Sequence, residues 1–545
     1  MKRSFVVGLC LLLFGIGGVN AQTPSWQWAT IGNNNGKAYG TSTCFDNDGN
    51  IYVLGTYLNT IIVDSFSLQS AGGYDIILLK YNANGQLRWA KRMGGPGDDG
   101  FEGGVGSVAT GDDGSVYLGC IFSDSMVVDN QQFVSNGEKD VALMKLDTNG
   151  HLVWGKSFGT VYNEFVSRIL VKRNRLYLIG LFSDAGTATL QIDNISLTTH
   201  GGWDVFFFKA DTSGHIIWAK DEGTPRSEGP GDIAVDKNDN VFISGDVGCT
   251  IYFENDYLSD PSVDGVNFIA KYDSTGNELW SRGGYSNYGY YGSLLEVDTN
   301  GCVYTTGFNI EQQTVTWGSS TVWNIYNYAY LVKYNPNGVL VFAKNVASYT
   351  NYDAYCCIRV NPQDNMVYLS GEFNSNGVFG NDTILSYGND DIIVLKFNEN
   401  GVLQKTIHAG GFGNESAYGM AISNTGDIAV TGYTSSAPCN FGNNQVSSSS
   451  GWDIYVAKLS PTTGINDVPP IASIAVYPNP ADDILTIEAN QNGRFEMVDL
   501  MGRILLQSQI INHQSQIDMK DYPSGIYFIK YQNDKETETI KVIKQ

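Results

Sequence analysis

The chain is poor in histidine, cysteine and positive charge. Five histidines stand among 545 residues, at His151, His200, His215, His408 and His513, and no HExxH pattern joins them. His151 and His215 share one slot, directly after Gly150 and Gly214, which marks a hairpin turn. Eight cysteines are present. Cys10 falls in the apolar leader, so seven remain: Cys44, Cys120, Cys249, Cys302, Cys356, Cys357 and Cys439. An odd number without CxxC spacing makes a poor disulfide framework and a poor zinc site, and points to buried small apolar side chains, with one bridge left open by an oxidising export path. Lysine and arginine number 33 against 56 acids, a formal charge of −23. Such a surface repels phosphate backbones and excludes nucleic acid as a partner. No nucleophile elbow or phosphate loop occurs.

Long apolar runs are missing too, except at the start. Met1-Lys2-Arg3-Ser4 leads into an apolar stretch reaching Gly18, then Val19-Asn20-Ala21 before Gln22. A basic start, a short apolar run and small residues describe a cleaved secretory signal over 1–21. Beyond it no stretch approaches the roughly 20 residues a spanning helix needs, so the mature chain is expected to be soluble, without a transmembrane segment, and monomeric.

Glycine, at 63 residues, and aromatics, at 12%, are plentiful instead, as many short strands joined by tight turns require. They recur with a period. An aromatic closely followed by Gly appears around Tyr52, Tyr117, Tyr177, Phe242, Tyr304 and Tyr368, and without the aromatic at Ala429, at spacings of 65, 60, 65, 62, 64 and 61. A second landmark runs in phase: an apolar run ending in Lys, a turn with Gly, then a strand with Trp. Its copies are Lys80, Gly85 and Trp89; Lys145, Gly150 and Trp154; Lys209, Gly214 and Trp218; Lys271, Gly276 and Trp280; Lys333, Gly338 and Phe342; Lys396, Gly401 and Lys405. A last lysine follows at Lys458.

Seven units of four strand-like runs predict a seven-bladed β-propeller over 22–465. The third run of each unit, such as Val205-Phe206-Phe207-Phe208, is apolar on both faces, as blades stacked face to face demand. The seventh unit lacks its Trp-bearing fourth strand. Ser25-Trp26-Gln27-Trp28-Ala29-Thr30 matches Leu87-Arg88-Trp89-Ala90-Lys91, so the N-terminal strand is expected to complete the last blade and remove the open edges of the array.

Trp89-Ala90-Lys91, Gly94-Gly95-Pro96-Gly97-Asp98-Asp99, the Gly114 to Gly119 hairpin and Gly410-Gly411-Phe412-Gly413-Asn414-Glu415 resemble the bacterial propeller repeats called SBBP repeats. That resemblance implies a propeller and no common activity. The Gly-x-x-x-Trp spacing is also similar to the docking tryptophans of quinoprotein propellers, but no quinone or calcium ligands accompany it. Neither a cofactor nor a metal is expected, and Asp46-Asn47-Asp48-Gly49-Asn50, which lacks the closing Glu of a calcium loop, reads as a hairpin turn.

A linker is expected over 466–472. From 473 to 545 the chain carries Val476-Tyr477-Pro478-Asn479-Pro480-Ala481, Leu485-Thr486-Ile487, Val498-Asp499-Leu500-Met501-Gly502-Arg503, Ile517-Asp518-Met519, Tyr522-Pro523-Ser524-Gly525-Ile526-Tyr527 and Lys541-Val542-Ile543-Lys544. These resemble the type A sorting domain of the type IX secretion system of gram-negative bacteria. The resemblance implies the secretion machinery as partner, a sorting motif at Tyr477, Pro478, Asn479, Pro480, Gly502, Gly525 and Lys541, and a secreted or cell-surface destination. The alternating runs are themselves compatible with a small β-sandwich.

Two features of the propeller bear on function. Acids recur before the first strand of several units, at Glu102, Glu164, Glu228 and Glu415, where they either close loops by hydrogen bonding or ring one mouth of the channel for cations or sugar hydroxyls. Tyrosines gather in loops leading to inner strands: Tyr162; Tyr285, Tyr288, Tyr290 and Tyr291; Tyr349, Tyr352 and Tyr355. Such rings stack on sugars or grip apolar side chains, or else pack the loops themselves. The reading favoured here is a non-catalytic binding protein with a glycan or protein ligand at Tyr162, Tyr288, Tyr290, Tyr352, Tyr355, Glu164, Glu228 and Glu415. The alternative is a secreted polysaccharide hydrolase or lyase, whose acids would come from different blades.

Overall fold

The computed structural model describes residues 25–544 apart from 101–103, 105, 184–186, 249, 260–264, 287–289, 310–313, 324–328, 347–352, 381, 450, 461–473, 478–480, 482, 490–492, 500–502, 511–513 and 533–536. The expected leader lies outside that set. The chain divides into two compact units, 1–462 and 463–545. Regular structure among the described residues is all strand.

In the first unit the repeats form antiparallel sheets whose strands follow chain order in all but the last, giving an all-β, propeller-like array. The second repeat is typical: Gly106–Thr110, Val116–Phe122, Asp140–Leu146 and Leu152–Phe158. The turns between them need residues that tolerate a left-handed backbone, and Gly114 and Gly150 supply it at φ 76° and 86°. The doubly apolar third strands are buried on both faces. Asp204–Asp211 is buried at every position but its last, and each Phe of Phe206-Phe207-Phe208 contributes roughly 2–3 kcal/mol by leaving water.

The repeated Gly-x-x-x-Trp spacing has a physical cause. Each Trp lies on the turn of the next repeat and donates its indole N–H to a carbonyl there: Trp89 to Thr148 at 3.3 Å, Trp154 to Thr212 at 3.3 Å, Trp218 to Ser274 at 3.3 Å and Trp280 to Pro336 at 3.2 Å. The turn glycine admits the ring, since a Cβ at Gly214 would stand 3.0 Å from Trp154. The landmark lysines do parallel work. Lys80, Lys209, Lys271 and Lys333 sit over Tyr52, Tyr177, Phe242 and Tyr304 and donate to Thr148, Ser274, Pro336 and Glu399 carbonyls of the following repeats.

The N-terminal strand Ser25–Asn34 pairs antiparallel with Asp453–Ser460, setting Trp28 across from Lys458 as Trp89 is set across from Lys80. Its far end also pairs with the first repeat, Asn33 to Ile62 and Asn34 to Ile61.

The repeats hold more than the four strands expected. The connection from second to third strand carries a further hairpin, as in Ser125–Val128 with Gln131–Val134 and Thr189–Ile192 with Ile195–Thr198. It leans on the preceding repeat: Gly94 bridges to Val127, and Gly284 pairs with Trp317. The Lys two residues after the Trp fastens it, with Lys156 donating to Asp193 at 2.9 Å and Lys91 to Asp129. Cys120, Cys357 and Cys439 are buried in this unit, and Cys44 and Cys302 half-buried.

The C-terminal unit consists of a sheet of Ile474–Tyr477, Ile484–Ala489 and Gln514–Asp518 and a second of Gly493–Asp499, Ile504–Ile510, Gly525–Gln532 and Thr537–Lys544. Leu485 and Ile487 of the first and Phe495, Met497, Ile529 and Tyr531 of the second share one core. Of the sorting-motif residues, Tyr477 pairs with Thr486, Gly525 opens a strand and Lys541 pairs with Phe528. Pro478, Asn479, Pro480 and Gly502 lie outside the described residues.

Candidate functional site: paired carboxylates and a basic channel

The recurring glutamates are buried, at 0% exposure for Glu164 and Glu415 and 3% for Glu228. Each accepts the backbone N–H of the residue four positions earlier: Thr160 to Glu164 at 2.8 Å, Thr224 to Glu228 at 3.1 Å and Gly411 to Glu415 at 2.8 Å. The Thr160 hydroxyl adds a bond to Glu164 at 2.7 Å, and Thr434 one to Glu415 at 2.9 Å. These are loop-closing bonds. Glu102 lies outside the described residues, and Asp99 makes the equivalent bond in its repeat, accepting the Gly95 N–H at 2.6 Å.

A second acid series accompanies the first, 24 residues earlier each time: Asp75, Asp140, Asp204 and Asp391. Each is fully buried on a third strand, which Asp140 and Asp204 open. Each likewise accepts the N–H four residues back, from Ala71, Asn136, His200 and Tyr387 at 2.5–3.0 Å. Gly94, Gly159, Gly223 and Gly410 press against these carboxylates so closely that a Cβ would stand 2.2–2.3 Å away. Asp75, Asp140, Asp204 and Asp391 each keep Oδ1 without a hydrogen bond.

Two acids buried side by side cannot both ionise cheaply. Burial, opposed by the loop hydrogen bonds and aided by the neighbouring Asp, pushes Glu164 up to about 7 and Asp99 up to about 8. Burial likewise raises Glu228, which is tied to Asp204, and Glu415. In three of the repeats the residue 17 positions after the aspartate is itself ionisable. Arg92 stands 3.2 Å from Asp75 and His408 stands 2.6 Å from Asp391, whereas the third repeat has Asp221 there. His200 stands beside both acids there, with Nδ1 3.0 Å from Asp204 and 3.5 Å from Asp221. His200, Asp204 and Asp221 thus offer three ligand atoms within 4.8 Å of one another.

Of the tyrosines, Tyr162 is half-buried. Its backbone N–H donates to the Thr160 hydroxyl at 3.0 Å and its carbonyl accepts from Glu138 at 3.0 Å, so it belongs to the loop that Glu164 closes. Tyr288 and Tyr352 lie outside the described residues. Tyr290 and Tyr355 have described backbones only, paired with Asn309 and Gly371.

The inner strands also line a cavity of about 550 Å³. Residues of Ala38–Phe45, Gly106–Thr110, Glu164–Lys172, Glu228–Val235, Tyr290–Val297, Asp353–Val360 and Glu415–Ile422 all contribute to its wall. Arg168 reaches across two neighbouring repeats, 2.8 Å from Asp232 and 3.0 Å from Glu296. Burial opposes the Arg168 charge, but those two carboxylates outweigh it. Burial would raise Glu296 as well, and Arg168, Lys172 and Arg359 together hold it low. Sequence reasoning missed this cluster: Arg168 and Glu296 alone are 128 residues apart, and no linear pattern joins its members.

Residues 475–545 match the family model of the secretion system C-terminal sorting domain. That domain directs export through the type IX secretion system to the cell surface or extracellular space. The repeats show weaker likenesses. An uncharacterized WD repeat-containing protein of Acanthamoeba polyphaga mimivirus is 21% identical over 410 residues, covering 64% of this chain and 28% of that protein. The regulatory protein FlaEY of Caulobacter vibrioides is 25% identical over 328 residues, covering 56% and 33%. The chain therefore spans a third or less of the curated relatives it matches. Among solved structures, a Dyadobacter fermentans protein of unknown function aligns over 80% of this chain and 99% of its own, at 9% identity and a TM-score of 0.36. Pyrococcus horikoshii acylaminoacyl peptidase aligns over 92% and 58%, at 10% identity and 0.38.

Proposed function

We propose that this chain is a type IX cargo whose N-terminal region is a closed, seven-bladed propeller of the SBBP-repeat kind. It acts as a non-catalytic binding protein at the cell surface or in the medium. The match of residues 475–545 to the sorting domain carries the reading. Closure is supported by the pairing of Ser25–Asn34 with Asp453–Ser460 and by a cavity walled by inner strands of every repeat. The domain limits proposed are a signal at 1–21, the propeller at 22–465, a linker at 466–472 and the sorting domain at 473–545.

The binding surface proposed is the loop face around Tyr162, Tyr288, Tyr290, Tyr352 and Tyr355. Glu164, Glu228 and Glu415 act there by fixing the loops, since their carboxylates are engaged and buried. Purified protein on a glycan array tests the reading: retention of one glycan class without release of sugar is expected. Sugar release from a bound glycan would replace it with the hydrolase or lyase alternative. Absence of glycan binding, together with no capture of surface proteins, would refute it.

A further inference from the structure

The Tyr162 loop feeds one end of the strand Glu164–Lys172, and the cavity occupies the other end. Its wall is chemically unlike the rest of the molecule. In a protein of formal charge −23, the wall holds Arg168, Lys172, Arg173, Lys237 and Arg359.

Several charges there are already matched. Asp236 and Asp298 face Lys271 at 3.7 Å and Lys333 at 3.8 Å and accept their own turn amides. Arg173 pairs with Asp239, its Nε donating at 2.7 Å. Apart from Lys237, which is exposed, what remains around the cavity is Arg168, Lys172 and Arg359 against Asp232 and Glu296, three cations for two carboxylates. Arg168 engages both acids directly. Arg359 approaches Glu296 only to 4.0 Å and otherwise donates to its neighbour, the Ile358 carbonyl, at 2.7 Å. Lys172 makes a long bond, 3.3 Å, to the Val235 carbonyl. An ammonium carries three donors and a guanidinium five, so both cations retain bonding capacity toward the cavity. Burial, with Arg168, Arg173 and Arg359 close by, weakens the Lys172 charge against the pull of Glu296. An incoming anion would restore it.

We propose that this end of the channel is a binding site for a saccharide-sized solute bearing one carboxylate or sulfate, held by Lys172 and Arg359 with Arg168 fixed behind them by Glu296. The volume of about 550 Å³ lies in the range of small-ligand sites. Ser42 and Ser107, 3.4 Å apart at their hydroxyls, and Thr110, whose hydroxyl donates to the Phe45 carbonyl at 2.6 Å, lie in the same wall and keep acceptor lone pairs for sugar hydroxyls. The site goes beyond the loop-face reading and stands or falls independently of it.

Isothermal titration of the full chain with D-glucuronate, glucose 6-sulfate, glucose and inorganic sulfate tests it. Either sugar acid is expected to bind at least tenfold tighter than glucose and than bare sulfate. Lys172→Met and Arg359→Met should each weaken that binding tenfold or more. Glu296→Gln, which keeps an acceptor for Arg168 but removes the negative charge 4.0 Å from Arg359, should strengthen it, and this gain cannot come from misfolding. Equal binding of glucuronate and glucose, or none of either, overturns the site. Sulfate binding as tightly as glucuronate overturns its saccharide character. Weaker binding by Glu296→Gln, in a variant that melts like the parent, overturns the assigned charge balance.

Discussion

The Trp28 indole N–H donates to the Ala83 carbonyl at 3.1 Å, and Lys458, 430 residues later in the chain, donates to the same oxygen at 3.3 Å. Elsewhere the Trp and Lys that share a carbonyl of the next repeat come from a single repeat, as Trp89 and Lys80 do on Thr148. Here the two partners come from opposite ends of the first unit. Trp28→Ala should therefore destabilise by roughly 2 kcal/mol or more, since it removes both ring packing and an indole bond. Deletion of residues 23–31 should abolish cooperative melting or cause aggregation, by differential scanning calorimetry and light scattering. Unchanged melting of either variant would refute the role given to this strand.

The acid pairs make stability depend on pH. Glu164 and Asp99 are held up to about 7 and about 8 in the fold, while unfolded carboxyls titrate near 4. Between those limits the folded state keeps protons that the unfolded state has released, so stability is greatest at the acidic end and falls as pH rises toward about 8. Glu164→Gln mimics the protonated acid. Its melting temperature should match the parent near pH 5 and exceed it at pH 8. A constant difference between variants across that range would contradict the raised Glu164 pKa.

Gly214 has φ 84° and faces the Trp154 ring. Gly214→Ala adds left-handed strain of about 1–2 kcal/mol and a contact at 3.0 Å. A clear loss in thermal melting is expected, larger than for Gly114→Ala, whose Cβ would meet only the Thr148 methyl at 3.1 Å.

Removal of residues 471–545 should leave the protein in the periplasm, whereas the full chain reaches the surface or medium. Cell fractionation with protease shaving distinguishes the two, and normal delivery of the truncated chain would refute the sorting role.

The second strand of the second repeat, Val116–Phe122, was legible to the residue, because its apolar run follows the turn glycine Gly114 and recurs along the chain. The extra hairpins were not. Their strands are four residues or fewer, and Asp129 and Asp193 take the left-handed turn positions without a glycine to mark them. Glu164 and Glu228 stood out as recurring acids, but their partners Asp140 and Asp204 lie two strands away in sequence and meet them only after folding. The Arg168 cluster was hidden for the same reason: an isolated arginine on an inner strand has no pattern until Glu296 is brought across from another repeat.

Ring closure by the first strand is tested most directly by pairing cysteines across it. Ala29 and Ala457 are opposite one another in the proposed register, within the reach of a disulfide. Ala29→Cys with Ala457→Cys should oxidise to one bridge, consume both added thiols and raise the melting temperature. Two thiols that stay titratable under oxidising conditions, with melting unchanged, would show that the strand lies elsewhere.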